Sequence, residues 1–157
     1  MMLKELKGQV GGTYAAVKPD TKSSEFLQNF MNKFGVPNPE PTHKIHATLL
    51  YSRKYLPHYK PQSDLTHEAS PDALEIWKTK SGKNCLVLKL KSDSLSNRHK
   101  NLMDKHEATY DYPEYKTHIS LSYDIGDDFD VSKIDIVDIP DILLTHEYHE
   151  VLDTTGK

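Results

Sequence analysis

Ile45-His46-Ala47-Thr48-Leu49 and His118-Ile119-Ser120-Leu121 decide how this chain is read. Each string sets a histidine two residues before a hydroxyl, inside a run rich in apolar residues. Alternate side chains of a strand share a face, and the rise is about 3.3 Å per residue. In a strand, therefore, His46 and Thr48 point the same way, and so do His118 and Ser120. Two imidazoles facing one another across a groove form an acid–base pair. Two hydroxyls beside them are hydrogen-bond donors for a phosphate.

Working outward, Val10 to Lys18 reads as a strand with Tyr14, Ala16 and Lys18 on one face, ended by Pro19. Ser23 or Ser24 is the expected cap of a helix with Phe26, Leu27, Phe30, Met31 and Phe34 at helical spacing. Gly35 and a proline-rich stretch stop it. His43–Arg53 is the first motif strand, and Tyr55–Pro71 reads as a long loop. Ala73–Thr79 and Asn84–Lys91 are strands joined by the hairpin signal Ser81-Gly82-Lys83. Asp93–Tyr110 reads as a helix with Leu95, His99, Leu102, Met103 and His106 on one side, the histidines packed rather than functional. Tyr115–Ile125 is the second motif strand, and Asp141–Asp153 closes the chain. This order is that of an α+β domain.

A chain of 157 residues reads as one domain, residues 1–157. Cys85 is the only cysteine, so no internal disulfide forms and a reducing compartment is expected. Met1–Gln9 has lysines but no apolar core of a secretory signal, and no run is apolar enough for a membrane span. The expectation is a cytoplasmic protein. Net charge is −3, but unevenly spread: residues 117–157 carry two lysines against ten carboxylates, and residues 1–116 are net positive by five. That acidic end argues against binding long nucleic acid through its phosphates and leaves room for a small anionic ligand.

Rival chemistries are weaker. His43 and His46 lie three apart, as do His146 and His149, and strand geometry sends each pair to opposite faces, so neither metal nor cofactor is expected. No Gly-x-Ser-x-Gly elbow and no glycine-rich phosphate loop occurs. Tyr14 and Trp77 are candidate platforms for nucleobases, and Glu147 is a candidate acceptor for a base amino or imino group.

The paired His46-Ala47-Thr48 and His118-Ile119-Ser120 strings, each on a strand that follows a strand and a helix, resemble the two-histidine (2H) phosphoesterase superfamily. The resemblance implies a bilobal fold: two pseudo-symmetric, antiparallel-rich β-sheet lobes around a central cleft, with helices outside. It also implies metal-independent cleavage of phosphodiesters, with His46 and His118 as acid and base and Thr48 and Ser120 as phosphate donors. Thr117, where the superfamily usually has an apolar residue, and Ser120, where threonine is commoner, are departures. Length and surrounding sequence are further similar to the phage anti-CBASS cyclic-oligonucleotide phosphodiesterases. That implies hydrolysis of cyclic di- and trinucleotide immune signals, such as 3′,3′-cGAMP, in the host bacterial cytoplasm. An RNA-end 2′,3′-cyclic phosphodiesterase, a 2′–5′ oligoadenylate phosphodiesterase and a non-catalytic cyclic-nucleotide sponge are the alternatives.

Overall fold

The computed structural model describes residues 11–62, 64–110 and 114–153; the readings at Met1–Val10 lie outside them. Six strands and two α-helices follow in order: β1 (Gly11–Pro19), α1 (Thr21–Lys33), β2 (Ala47–Ser52), β3 (His67–Lys78), β4 (Asn84–Lys91), α2 (Asp93–Lys105), β5 (His118–Ser122) and β6 (Ile142–Asp153). The protein is α+β, and all strand pairs are antiparallel.

The strands join in one closed sheet of order β1-β2-β5-β4-β3-β6, not in two separate sheets. Its halves, β6-β1-β2 and β5-β4-β3, are each paired along their length. They meet at two short seams. One is Ala47 opposite Ile119. The other runs from His67 opposite Leu144 to Ala69 opposite Ile142.

Strand alternation separates two faces. Ala15, Val17, Ala47, Leu49, Leu88, Ile119, Leu121, Ile142 and Leu144 turn toward the apolar core. Leu27, Phe30 and Met31 of α1 and Leu95 and Leu102 of α2 complete it. Tyr14, Thr48, His118 and Ser120 occupy the other face and line a groove.

Several boundaries differ from the sequence reading. α1 is capped by Asp20, whose carboxylate accepts from the Ser23 amide at 2.8 Å. Ser23 and Ser24 lie inside the helix, and the Ser23 hydroxyl instead accepts from the Leu143 amide. Gly35, at φ 64°, lets the chain leave α1 in the left-handed region, with the Val36 amide returning to the Met31 carbonyl. β3 starts at His67, within the expected loop. It carries Pro71 beside a register shift, where a residue without an N–H is tolerated. α2 ends at Lys105, short of Tyr110. Glu107 turns the chain at φ 53° so that Thr109 reaches Ser52 and Arg53: its hydroxyl accepts from the Arg53 amide, and its amide donates to the Ser52 hydroxyl, both at 3.0 Å. Among the described residues no helix is long and apolar enough to cross a membrane.

Candidate active site

The two motif strings bury alternate residues in the same pattern. Ile45, Ala47 and Leu49 are buried with His46 and Thr48 between them. Thr117, Ile119 and Leu121 are buried with His118 and Ser120 between them. Ala47 and Ile119 are the facing pair at the β2–β5 seam, and both are fully buried. Continuing antiparallel from that pair sets His46 beside Ser120 and Thr48 beside His118, each on the groove face. All four line one cavity of about 660 Å³, with Tyr14, Tyr51, Trp77 and Tyr123 around them.

The rings are held alike. His46 Nδ1 donates to the Lys44 carbonyl and His118 Nδ1 to the Lys116 carbonyl, each at 2.8 Å and each two residues back. A carbonyl only accepts, so both neutral rings carry the proton on Nδ1 and keep the Nε2 lone pair for chemistry. Burial lowers the His118 pKa below its ordinary value. The Lys116 carbonyl opposes that shift, and proximity to His46 adds to it. The Trp77 ring packs at 4.6 Å from the His118 ring, tilted 55°, and its Nε1 donates to Glu75 Oε1 at 2.8 Å. The ring that buries His118 is thus itself anchored.

Tyr14 Oη and Thr48 Oγ1 lie 3.0 Å apart, and Ser120 and Tyr123 line the same groove. Burial pushes the Tyr14 and Tyr123 hydroxyls up, so both stay protonated donors. Tyr115 donates to the Thr48 carbonyl at 2.7 Å. Lys78 and Lys116 add positive charge to the groove wall, with Glu114 at 3.8 Å from Lys116.

Six of the seven candidate residues therefore meet in the groove: Tyr14, His46, Thr48, Trp77, His118 and Ser120. Glu147 does not. A register shift at Lys18/Pro19 puts Glu147 opposite Val17, on the core side of β6. There it is buried, taking two hydrogen bonds from Arg98 (3.0 and 2.9 Å), one from the Tyr59 hydroxyl (2.6 Å) and one from the Gln62 amide (3.0 Å). No acceptor capacity remains for a base. The β6 carboxylate registered with Tyr14 is Glu150.

Tyr51 and Tyr123 escaped the sequence reading for different reasons. Strict alternation from Thr48 would expose Leu50 and bury Tyr51. A bulge pairs Ala16 with Thr48 but Ala15 with Leu50, which brings Tyr51 opposite Tyr14 instead. Their rings meet edge to face at 6.0 Å. Tyr123 follows the last residue of β5, where parity no longer applies. Among the described residues no group of three or more His, Cys, Asp or Glu is placed to hold a metal ion.

A family model described as anti-CBASS protein Acb1 matches residues 11–157. The anti-CBASS protein Acb1 of Enterobacteria phage T4 is 39% identical over 150 residues, covering 96% of this chain and 94% of its own. That of Salmonella phage S16 is 38% identical over 141 residues, 90% of this chain and 88% of its own. That of Acinetobacter phage Ac42 is 36% identical over 148 residues, 93% and 94%. With the match spanning every described strand and both histidine strings, the chain belongs to the anti-CBASS protein Acb1 family.

Proposed function

We propose that this chain is a metal-independent phosphodiesterase that opens cyclic di- and trinucleotide immune signals, such as 3′,3′-cGAMP, in the infected cell's cytoplasm, so that a phage evades CBASS. One observation carries the reading. The Ala47–Ile119 pair sets two histidines with identical Nδ1 anchors, and two hydroxyls, around one groove. The names of the relatives supply the biological setting. The two three-stranded halves of the closed sheet support a two-lobed reading of the fold.

In the first step His118, neutral because it is buried, takes the proton of the ribose 2′-hydroxyl. O2′ bonds to the adjacent phosphorus, the P–O5′ bond breaks, and protonated His46 gives its proton to O5′. The product is a 2′,3′-cyclic phosphate and a 5′-hydroxyl. In the second step the roles exchange. His46, now neutral, takes a proton from water, the water oxygen bonds to phosphorus, and P–O2′ breaks with the proton returned by His118. Thr48 and Ser120 donate to the non-bridging oxygens, where charge gathers in both transition states. Tyr14 and Trp77 offer faces to the bases.

The test is product analysis of 3′,3′-cGAMP incubated with the protein in EDTA, beside His46→Ala, His118→Ala and the double variant. The expected outcome is ring opening in EDTA, reduced by about 10²–10⁴-fold in each single variant with substrate binding retained. An intact ring that still binds means a sponge. A ring neither bound nor opened, with turnover of RNA cyclic-phosphate ends or 2′–5′ oligoadenylates, moves the assignment to those substrates.

A further inference from the structure

Trp77 covers His118 from a position that gives its ring little support. β3 runs beside β6 only from His67 to Ala69, so at Trp77 it is registered with β4 alone. The residue opposite Trp77 is Cys85, too small to grip an indole. The ring is half-buried, and two side-chain torsions set where it points. Yet it packs at 4.6 Å from the His118 ring, tilted 55°.

Glu75 supplies the missing constraint. It lies two residues back on the same face of β3, and its Oε1 accepts from Trp77 Nε1 at 2.8 Å. Its Oε2 lies 3.5 Å from Nζ of Lys89, the β4 residue registered opposite His118. The Trp77 hydrogen bond, and after it Lys89, hold the Glu75 carboxyl below the usual carboxylate range, so it is ionised wherever the histidines titrate. One carboxylate thus fixes the indole while β4 fixes the carboxylate.

We propose that Glu75 is a positioning residue for the reaction: by holding the Trp77 indole against His118, it sets how far the base is shielded from water. The proposal rests on His118 acting as the base in the first step. Charge alone would act differently. Around His118 stand Lys89 from β4, Glu75 and Lys78 from β3 and His46 across the seam, with Lys116 and Glu114 on its own segment, beside the groove tyrosines. Taking the Glu75 charge out of that set lowers the His118 pKa by Coulomb interaction in any neutral variant. Releasing the indole raises it by letting water in.

Two variants separate these effects. Glu75→Ala removes charge and acceptor together, whereas Glu75→Gln keeps an acceptor oxygen for the indole. Trp77 is the sole tryptophan of the chain, and an imidazolium in contact quenches indole emission. Fluorescence against pH therefore reports the proton on His118 without substrate. The native protein should show an emission step with its midpoint below about 6.5, the ordinary histidine value, and His118→Ala should abolish it. In Glu75→Ala the step should shrink and its midpoint rise toward 6.5; Glu75→Gln should restore it. The acid limb of kcat/KM for 3′,3′-cGAMP should move in step, with about a tenfold loss at low pH for each unit of movement. The proposal is overturned if the two variants shift alike, which makes charge the whole effect. It is equally overturned if Glu75→Ala moves neither step nor limb, or if the step survives His118→Ala. A ring left intact by the native protein removes the substrate assignment, and the emission step then still decides the role of Glu75.

Discussion

Each motif histidine gives its Nδ1 proton to the carbonyl two residues behind it, which fixes the tautomer and leaves Nε2 to act. Of the two rings, His118 is the one whose pKa burial lowers. A base must be unprotonated, so a lowered pKa extends activity toward acid. The acid limb of kcat/KM against pH is expected to lie below about 6.5, the ordinary histidine value. Trp77→Ala, which uncovers His118, should move that limb upward toward 6.5, read from pH–rate profiles of the two proteins. Gly12 is constrained in another way: a Cβ there would meet the Ser52 carbonyl oxygen at 2.1 Å. Gly12→Ala is expected to cost about 1–3 kcal/mol, measured by urea unfolding. At this scale the His-x-Thr and His-x-Ser faces were legible because strand parity is local. Tyr51 and Glu147 were not, because bulges reverse parity and are set by partners distant in sequence.

Among the elements, β2 depends most on help from outside the sheet. Past Ala47 its carbonyls have no β5 partner in the register, and side chains take over. Tyr115 Oη donates to the Thr48 carbonyl and His99 Nδ1 to the Leu49 carbonyl, both at 2.7 Å. The two rings stack at 4.2 Å, with their planes 9° apart. The substitution Tyr115→Phe keeps the stack and removes one bond. It should lower stability by about 1–3 kcal/mol and, by loosening the strand that carries Thr48, reduce kcat more than it raises KM. Steady-state kinetics alongside denaturation separate the two effects. α1, β4, the Ser81–Lys83 turn and β6 were readable from periodicity and punctuation. The start of β3 and the end of α2 were not. Pro71 disguises a strand that its neighbours β4 and β6 hold in place, and the hydrogen bonds of Thr109 to Ser52 and Arg53 draw the chain away from a helix it would otherwise continue.

At the scale of the whole molecule, Arg98 and Glu147 form an ion pair linking α2 to β6, with side chains 9% and 0% exposed. The Lys60 carbonyl, Tyr59 and the Gln62 amide join it, so the segment between β2 and β3 rests on the same pair. Arg98→Met strands a buried carboxylate and is expected to cost about 3–5 kcal/mol; Arg98→Met/Glu147→Leu should recover much of that. Calorimetry of the three proteins decides it. Acid acts on the same fold through its histidines. His67, His99 and His118 all have pKa values lowered by burial, so the unfolded chain binds protons more readily than the folded one. Their contribution is fully present above about pH 6.5 and declines as pH falls from there toward their lower folded values. The midpoint of urea unfolding should drop over that interval. Sheet closure had no local signal, since β1 with β6 and β3 with β6 join distant parts of the chain. The ring anchors carry a last implication. Lys44 and Lys116 hold the His46 and His118 tautomers with main-chain oxygen, so replacing either side chain leaves the anchor in place. The tautomers are inherited with the path of the backbone, so both lysine positions are open to substitution without losing the proton arrangement on which the proposed turnover depends.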